Sequence, residues 1–416
     1  TRAISSGSTR ASPCAACCAV LDIHAPAPKS AGSFDRCAPL EAALELIPAL
    51  RKKYGITRVG NVTLLDRIGI PTYCAIVPDS PADISVYNGK GSSDDAARAG
   101  AVFEAAERQA AASLPPAVRR EGGTEYVAGF DLLHQRACLA PLGLVAHPYA
   151  GDARFAGTSS NGLAAGTTPI EAVYHALCEL IERHAWSIAQ VRCELLPRVL
   201  QGAGAADFGF ASELQLPSGD ARVDALAARV TGAGLHLRVM HLTPTEPWLP
   251  PVMCASIVED RSDPPMAHAG FGCSLAPAHA AVRAITEAAQ SRLTDIAGAR
   301  EDAVRLSALP RKRWFYDLPL PAVGLDALPD DSSDDLAADV RALVSKLARS
   351  GASCVTVVDL SPDDVPVTIV RAIVPELETT CIDGKLGPKA RAALNPFSTP
   401  REHSAANGFI FERTAP

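Results

Sequence analysis

Three long segments of the chain carry the same arrangement of carboxylates and arginines. In each, a glutamate is followed three residues later by a second glutamate or a glutamine, with an arginine close behind. The pairs are Glu104 and Glu107 before Arg108, Glu179 and Glu182 before Arg183, and Glu287 and Gln290 before Arg292. Residues three apart share one face of a helix, so each segment can present two oxygen ligands at one height. One such pair is typical of a solvated helix surface, whereas three of them indicate a shared site.

The five glutamates of these segments would repel one another if the fold brought them together, unless cations neutralised them. Hard oxygen ligands favour Mg²⁺, which proteins usually bind through one or two carboxylates and the phosphates of a substrate. The planar donors Arg108, Arg183, Arg283 and Arg292 would suit those phosphates. The pattern therefore predicts a site for a polyphosphate and several Mg²⁺ ions.

Segments rich in Gly, Ser and Asn precede the three helical segments. They are Asn88–Ser93, Gly157–Gly162 and Gly270–Ser274, and we expect them to form turns. Small residues allow the backbone to approach a ligand, and helix N-termini offer free N–H groups to phosphate oxygens. None is a P-loop, because Lys90 is followed by Gly91 instead of Ser or Thr. The dinucleotide fingerprint also fails, since Leu275 stands where its third glycine is required.

Hydrophobic periodicity predicts helices interspersed with strands, hence an α/β or α+β fold in which helices cover the faces of sheets. The predicted helices are 41–53, 94–113, 168–190, 222–231, 276–296 and 334–350. The predicted strands are 57–65, 72–77, 83–87, 126–133, 235–242, 252–258, 354–360 and 367–373. Residues 1–36, rich in Ser, Ala, Pro and Gly, predict a loosely ordered arm.

Composition excludes several classes of protein. The 416 residues include 48% hydrophobic side chains, enough for a large core, and 39 Lys and Arg against 46 Asp and Glu. The acidic balance argues against a nucleic-acid partner, and no apolar stretch reaches the roughly 20 residues of a membrane span. Most of the twelve cysteines stand in apolar contexts, which predicts reduced thiols in a cytoplasmic protein. Cys14 and Cys17 have C-x-x-C spacing, but no second pair follows at zinc-site distance.

The segment Ser159 to Arg183 closely resembles the core signature of the YcaO family. It reads SSNGLAAGTTPIEAVYHALCELIER, and flanking segments agree at Leu65–Pro71, Gly89–Gly91, Glu104–Arg108 and Ile285–Leu293. The resemblance runs from about Thr57 to Arg300 and, more weakly, to about residue 390. It implies an α+β fold of the YcaO type, with mixed sheets covered by long helices that converge on an ATP/Mg²⁺ cleft. We expect an N-terminal arm and helix at 1–56, the catalytic domain at 57–390 and a C-terminal tail at 391–416.

The resemblance implies an ATP-dependent enzyme that activates a peptide backbone amide. In this family a nucleophile adds to the amide carbonyl, and the resulting oxyanion is phosphorylated by ATP and eliminated as phosphate. We expect cyclodehydration of a Cys, or of a Ser or Thr, to an azoline in a ribosomally made precursor peptide. Thioamide formation with sulfide and amidine macrocycle formation stay open, because the nucleophile belongs to the substrate. A nucleotide- or peptide-binding scaffold is the alternative without catalysis.

The resemblance also assigns roles to individual residues. Mg²⁺ is expected on Glu104, Glu107, Glu179, Glu182 and Glu287. The resemblance implies contacts with ATP from Glu171, Arg183, Arg283 and Gln290, and we also expect them from Ser93 and Thr167. We expect Lys90 to contact a phosphate, with capping of a turn as the alternative. The chain departs from the family pattern at Gly100, where a Ser is common, and at Thr167, where an Asn is usual. The terminal carboxylate of Pro416 is a speculative catalytic base, since azoline-forming members often end in a proline-rich tail.

The expected partners are peptides and proteins. A precursor peptide is the substrate, and no segment is recognisable as a leader-binding domain. We therefore expect residues 1–56, a leader-binding protein or a sulfide-delivering protein to assist. Neither nucleic acid nor a membrane is expected, and the sequence leaves open whether the protein forms a homodimer.

Overall fold

A computed structural model describes residues 22–82, 84–113, 119–155, 159–199, 209–242, 246–259, 266–301, 318–394 and 410–411. Three long helices dominate it, and they are the ones that carry the glutamate pairs. The helices are α1 (Leu40–Lys53), α2 (Asp94–Ala112), α3 (Leu142–Val145), α4 (Pro169–Gln190), α5 (Leu196–Val199), α6 (Ala221–Gly232), α7 (Pro277–Ala297), α8 (Leu336–Arg349), α9 (Thr380–Asp383) and α10 (Pro388–Leu394). A π-helical turn, Val191–Leu195, joins α4 to α5.

The strands form three sheets. The strands are β1 (Arg58–Asn61), β2 (Thr72–Ile76), β3 (Val86–Lys90), β4 (Arg119–Glu121), β5 (Thr124–Asp131), β6 (Arg136–Pro141), β7 (Leu163–Gly166), β8 (Ala211–Leu214), β9 (His236–Leu242), β10 (Val252–Glu259), β11 (Met266–Cys273), β12 (Ala322–Val323), β13 (Thr356–Asp359), β14 (Thr368–Ile373) and β15 (Ile410–Phe411). The sheet orders are β1-β2-β3, β11-β10-β9-β8-β12 and β15-β6-β5-β13-β14-β7, with β4 paired to β5. The described pairings are antiparallel except that β12 runs parallel to β8.

Each glutamate-bearing helix begins at a recognisable start signal. The Ser93 hydroxyl accepts a hydrogen bond from the N–H of Ala96 at 3.2 Å and caps α2. Thr168 caps α4 in the same way, and Pro169 occupies the first helical position. Pro277 opens α7, which ends at Gly298 in the left-handed conformation. These local signals explain why the sequence predicted the three helices closely.

The helix α4 runs through the middle of the protein and is buried along most of its length. It packs on β7 and β14 of the largest sheet, and it also contacts α8 and β11. A helix that is apolar on almost every side is expected to lie inside a protein. The polar groups that α4 carries therefore enter a region from which water is largely excluded, and this applies to Glu179 and Glu182.

Glycines in β3 and β11 allow the adjacent helices to approach these strands closely. A Cβ atom on Gly89 would lie 2.0 Å from the backbone nitrogen of Ala101 in α2. A Cβ on Gly270 would lie 2.1 Å from the nitrogen of Ala288 in α7. The turns that the sequence predicted at Asn88–Ser93 and Gly270–Ser274 are thus partly wrong, because the first begins in β3 and the second lies mostly in β11. These glycines serve helix-to-strand packing.

The predicted α+β fold and its long helices are confirmed, each helix ending within two residues of its predicted bounds. Two strand predictions were shifted: β1 covers only Arg58–Asn61, and the predicted strand 83–87 is β3 at Val86–Lys90. The predicted loose arm is wrong for residues 22–36, whose backbone bonds to the rest of the fold. Lys29 N–H, for example, donates to the carbonyl of Asp334 at 2.9 Å.

The sequence expectations about cysteines and membranes have structural counterparts. None of the nine described cysteines forms a disulfide. The Cys14 and Cys17 pair lies outside the described residues. Within the described ranges, the helices fall short of the length and apolar character that crossing a bilayer requires.

Candidate active site

Five glutamates from α2, α4 and α7 lie close enough to act on one another, and we call this group the acidic run. Its members are Glu104, Glu107, Glu179, Glu182 and Glu287. Burial raises the pKa of Glu107 well above its ordinary value, and the charges of Glu104 and Glu179 raise it further. Burial also raises the pKa of Glu179 to about 7, with a contribution from Glu182. The pKa of Glu182 is raised by burial and then by Glu287 of α7. Because these carboxylates act on one another across three helices, the predicted convergence is confirmed.

Three cations from the chain partly balance this run. Arg108 donates to one Glu104 oxygen from Nε at 3.1 Å and from Nη2 at 2.8 Å. Arg183 Nη2 lies 3.8 Å from a Glu182 oxygen. Lys90 Nζ, at the end of β3, contacts a carboxylate oxygen of Glu287.

Glu287 differs from the other glutamates in its ionisation. Burial opposes its charge, but Lys90 and Arg183 prevail and hold its pKa below the ordinary value. Backbone groups fix two of the carboxylates as well. Phe271 N–H donates to Glu287 at 3.3 Å, and Ala165 N–H in β7 donates to Glu107 at 2.7 Å. The strands beside the helices thus hold the acidic side chains in place.

The acidic run fits cations that arrive together with phosphates. Within the described ranges, no three Asp, Glu, His or Cys side chains are arranged to hold a metal ion by themselves. Mg²⁺ needs no such complete cage, because it usually binds one or two carboxylates while substrate phosphates and water complete its shell. Carboxylates whose pKa values stay raised by burial, despite the cations of the chain around them, therefore suit additional cations supplied from outside.

Two buried guanidinium nitrogens near this run have no hydrogen-bond partner among the described residues. They are Nε of Arg283 in α7 and Nη1 of Arg371 in β14. The Glu182 charge acts on Arg283, and the Glu179 charge acts on Arg371. A buried donor without a partner is costly, so both groups suit an anionic ligand. The carboxylates therefore suit the Mg²⁺ ions of a Mg²⁺–polyphosphate ligand, and the guanidinium groups suit its phosphates.

A protein-family model matches residues 110–378 of the chain, and its description is YcaO cyclodehydratase, binding ATP and Mg²⁺. The chain belongs to the YcaO family. A solved YcaO structure from Methanopyrus kandleri, bound with AMPPCP and Mg²⁺, matches with a TM-score of 0.64 and 25% identity, over 84% of this chain and 94% of that one. As a YcaO protein the chain is an ATP-dependent enzyme that binds ATP and Mg²⁺.

Two sequence relatives have similar coverage. An uncharacterized protein of Methanothermobacter thermautotrophicus is 32% identical, over 82% of this chain and 94% of the relative. A Rhizobium leguminosarum protein, described as an uncharacterized protein in the tfuA 3′ region, is 32% identical over 82% of this chain and 87% of its own.

Thr167 and Glu171 lie at the N-terminal end of α4 in this YcaO chain and already bond to each other. One Glu171 oxygen accepts from the Thr167 hydroxyl at 2.6 Å and from its N–H at 3.0 Å. The other accepts from the N–H groups of Cys37 and Ala38 at 2.7 and 2.9 Å. Glu171 is fully buried, and both oxygens are occupied. The structure thus gives this pair a role in joining α4 to the N-terminal segment.

The remaining predicted residues lie in several places. Ser93 caps α2, three residues after Lys90. Gln290 is partly buried and follows Glu287 by three residues, so the two share one face of α7. Arg292 lies elsewhere: its guanidinium bonds to Asp66 and Glu259, both at 3.0 Å, so the suggested phosphate contact is not what this structure shows. Pro416 is outside the described residues.

Arg371 is the site residue that sequence reasoning missed. It is 6% exposed and stands in β14, where its Nε donates to the carbonyl of Leu144 at 3.2 Å. Burial lowers its pKa to about 10. The signal in the sequence was an arginine inside the otherwise apolar run Val367–Ile373, because a buried arginine in a strand usually has an anionic partner.

The cysteine beside the acidic run lacks the properties of a nucleophile. Cys273 is buried, and its pKa is raised well above the ordinary value by burial and by the adjacent Cys178 thiol. A thiol reacts as the thiolate, so a raised pKa makes it inert. Cys273 is therefore a packed residue of the core.

Proposed function

We propose that this YcaO chain uses ATP to activate a backbone amide of a precursor peptide, and that the product is an azoline formed from a Cys, Ser or Thr side chain. One observation carries the proposal: the buried run of glutamates on α2, α4 and α7 beside Lys90, Arg183 and Arg283. ATP bound with Mg²⁺ supplies the phosphoryl group that turns the amide oxygen into a leaving group. The chain contributes binding, orientation and charge neutralisation.

The proposed division of labour follows from the charges. Glu104, Glu107, Glu179, Glu182 and Glu287 hold Mg²⁺. Where the pKa is raised, as for Glu107, Glu179 and Glu182, these carboxylates release protons as the cations bind. Lys90, Arg183 and Arg283 orient phosphate oxygens, and Arg371 adds a donor on the β14 side. Ser93, Thr167, Glu171 and Gln290 remain predicted nucleotide contacts.

The nucleophile is proposed to belong to the substrate. Cys273, the cysteine next to the acidic run, is buried with a raised pKa, and Cys254 shares both properties. A side chain of the peptide therefore attacks its own backbone amide, which gives a ring. The predicted base, the carboxylate of Pro416, stays a separate prediction.

Thioamide formation is the second candidate, and the Rhizobium relative supplies the observation that favours it. That protein takes its description from the tfuA 3′ region, so its gene has a named neighbour. A neighbouring gene is compatible with a partner protein. Attack by sulfide requires delivery from outside the peptide, whereas ring formation by a side chain does not.

Mass spectrometry of a peptide separates these outcomes. The purified protein is incubated with candidate precursor peptides, ATP and Mg²⁺, with and without sulfide, and Glu179→Gln serves as the inactive control. Loss of one water supports the azoline, and exchange of oxygen for sulfur supports the thioamide. Nucleotide binding with neither ATP turnover nor a mass change would contradict the enzyme proposal and favour the scaffold.

A further inference from the structure

An N-terminal strap, defined here as residues 27–38, lies across α8, α4 and α7. At its start, Lys29 Nζ forms a buried ion pair with Asp339 of α8 at 2.6 Å. At its end, the N–H groups of Cys37 and Ala38 donate to Glu171 of α4. Ser30 N–H donates to the carbonyl of Arg36 at 2.7 Å and closes a loop. The strap is therefore fixed at both ends. Phe34 and Asp35, called its tip below, lie inside the loop that this hydrogen bond closes.

The Asp35 carboxylate at this tip lies against the first two turns of α7 and α4. It is 7% exposed, and its Oδ2 lies 2.9 Å from His279 Nε2, 3.5 Å from His175 Nε2 and 3.8 Å from Arg283 Nη1. Burial opposes its charge, yet its neighbours, His279 foremost, hold the pKa of Asp35 well below the ordinary value. Asp35 is thus an ionised, buried carboxylate beside Arg283, the arginine that we propose contacts the phosphates of ATP.

Stacking fixes the tip in place. The Phe34 ring stacks on His279 with the ring centres 5.1 Å apart. The guanidinium carbon of Arg222 also lies over the Phe34 ring, 4.0 Å from its centre. An aromatic side chain held between a histidine and an arginine loses its freedom to rotate. The position of Asp35 relative to α7 is therefore well defined.

His175 connects Asp35 with Arg283. Arg283 Nη1 lies 3.4 Å from His175 Nδ1, and an arginine can only donate, so Nδ1 accepts. The ring proton then resides on Nε2, which faces Asp35. Burial and the charges of Arg36 and Arg283 lower the pKa of His175 well below its ordinary value, so the ring is neutral near pH 7. Only a neutral imidazole ring has a nitrogen that can accept a hydrogen bond from Arg283.

We propose that Asp35 and His175 are positioning residues for Arg283: together they hold its Nη1 edge, so that its remaining donors are directed to the phosphates of ATP. The buried Nε of Arg283, without a hydrogen-bond partner, is one of those donors. Arginine has many rotamers, so fixing one edge before binding reduces the entropy lost on binding. The inference rests on the proposed ATP contact of Arg283. The strap itself lies outside the residues that the family model matches.

Nucleotide binding to charge-altered strap variants tests this inference. Asp35→Asn keeps the side-chain size and removes the charge. Calorimetric titration of each full-length protein with AMPPCP in the presence of Mg²⁺ gives the Kd, and chemical unfolding gives the stability. We expect Asp35→Asn to raise the Kd about tenfold. The matched control is Lys29→Met, which breaks a buried ion pair of the same strap that includes none of Asp35, His175 and Arg283, and it should leave the Kd within about twofold of wild type.

A second pair of variants separates positioning from folding. His175→Asn retains an acceptor near the Nδ1 position, whereas His175→Leu removes it. We expect His175→Leu to weaken AMPPCP binding by about tenfold and His175→Asn to restore most of the affinity. A purely structural role would lower the stability of both variants without separating their Kd values. If Asp35→Asn does not fold, the difference in Kd between the two His175 variants tests the inference on its own.

The contradicting results are distinct from one another. An unchanged Kd for Asp35→Asn, or equal Kd values for the two His175 variants, would overturn the inference and leave the proposed function intact. Tighter binding by Asp35→Asn would overturn it too, since Asp35 would then compete with phosphate. If the wild-type protein bound no AMPPCP with Mg²⁺, both the inference and the proposed nucleotide contacts would fail.

Discussion

Two groups of charged side chains in this protein differ in how their charges are balanced, although α7 contributes to both. In the ion-pair network, Arg292 bonds to Asp66 and Glu259 at 3.0 Å, and Arg67 bonds to the same Glu259 at 3.0 Å. In the acidic run, the carboxylates of Glu107, Glu179 and Glu182 have raised pKa values. Each carboxylate of the network has a close arginine, whereas burial outweighs the nearby cations at Glu107, Glu179 and Glu182 of the run.

The difference separates a structural group of charges from a binding group. A buried ion pair with good geometry satisfies its own charges and holds the backbone, as the network does where it joins the β1–β2 connection to α7 and β10. Carboxylates that remain undercompensated destabilise the empty protein and favour cations from outside. The acidic run is thus specialised for ligand binding at the expense of stability.

The largest expected effect is on catalysis in the acidic run. Glu179→Gln removes a charge but almost no volume, so the protein should stay folded. We expect ATP turnover in the presence of peptide to fall at least about 100-fold. Glu287→Gln should have the same effect on turnover. Near-normal turnover by either variant, measured on protein with an unchanged unfolding midpoint, would contradict the shared-site account.

The ion-pair network should respond in the opposite way. Arg292→Met leaves Asp66 and Glu259 without this partner, and breaking a buried pair typically destabilises by about 3–5 kcal/mol. Urea unfolding should show this loss, while the Kd for AMPPCP with Mg²⁺ stays close to wild type. A variant with normal stability and weak nucleotide binding would place Arg292 in the binding group after all.

The stability of the ligand-free protein should depend on pH through the acidic run. The pKa of Glu179 is about 7 in the folded chain against an ordinary 4.5, so the folded state binds more protons between these values. Its contribution to stability is therefore lost as pH rises from about 4.5 to about 7. Mg²⁺ with AMPPCP should raise the thermal midpoint more at about pH 8 than at about pH 6, since at the lower pH protons compete. An equal rise at both values would contradict the raised pKa.

The smallest expected effect concerns Gly100, which lies in α2, the helix that carries Glu104 and Glu107. A Cβ there would lie 3.5 Å from Cα of Gly89, an ordinary contact. Since glycine in a helix interior is less favourable than alanine, Gly100→Ala should stabilise the protein by about 0.5–1 kcal/mol. Unfolding midpoints of the two proteins check this. A loss of stability would mean that α2 and β3 pack more tightly than this distance indicates.

The sequence predicted the helices and the acidic run for one reason, which is that both depend on local spacing. Capping residues and the three-residue repeat defined α2, α4 and α7 with their glutamates. The strands β7 and β11 were missed because they are rich in Ala and Gly, which have low strand propensity, and their glycines serve packing against helices that only the fold reveals.

The partners of Asp35 lie more than 130 residues away, and Arg371 reaches Glu179 only through the sheet. Such long-range pairs leave no periodic signal.

Thermal unfolding with Mg²⁺ and AMPPCP, alone and together, tests most directly whether the acidic run is the binding site. Because the cations and the phosphates complete each other's contacts, the two together should raise the unfolding midpoint of wild type by more than the sum of their separate effects. Glu182→Gln, which removes a buried carboxylate from the middle of the run, should abolish this joint effect while unfolding in a single transition. A purely additive effect in wild type, or a full joint effect in Glu182→Gln, would contradict the account.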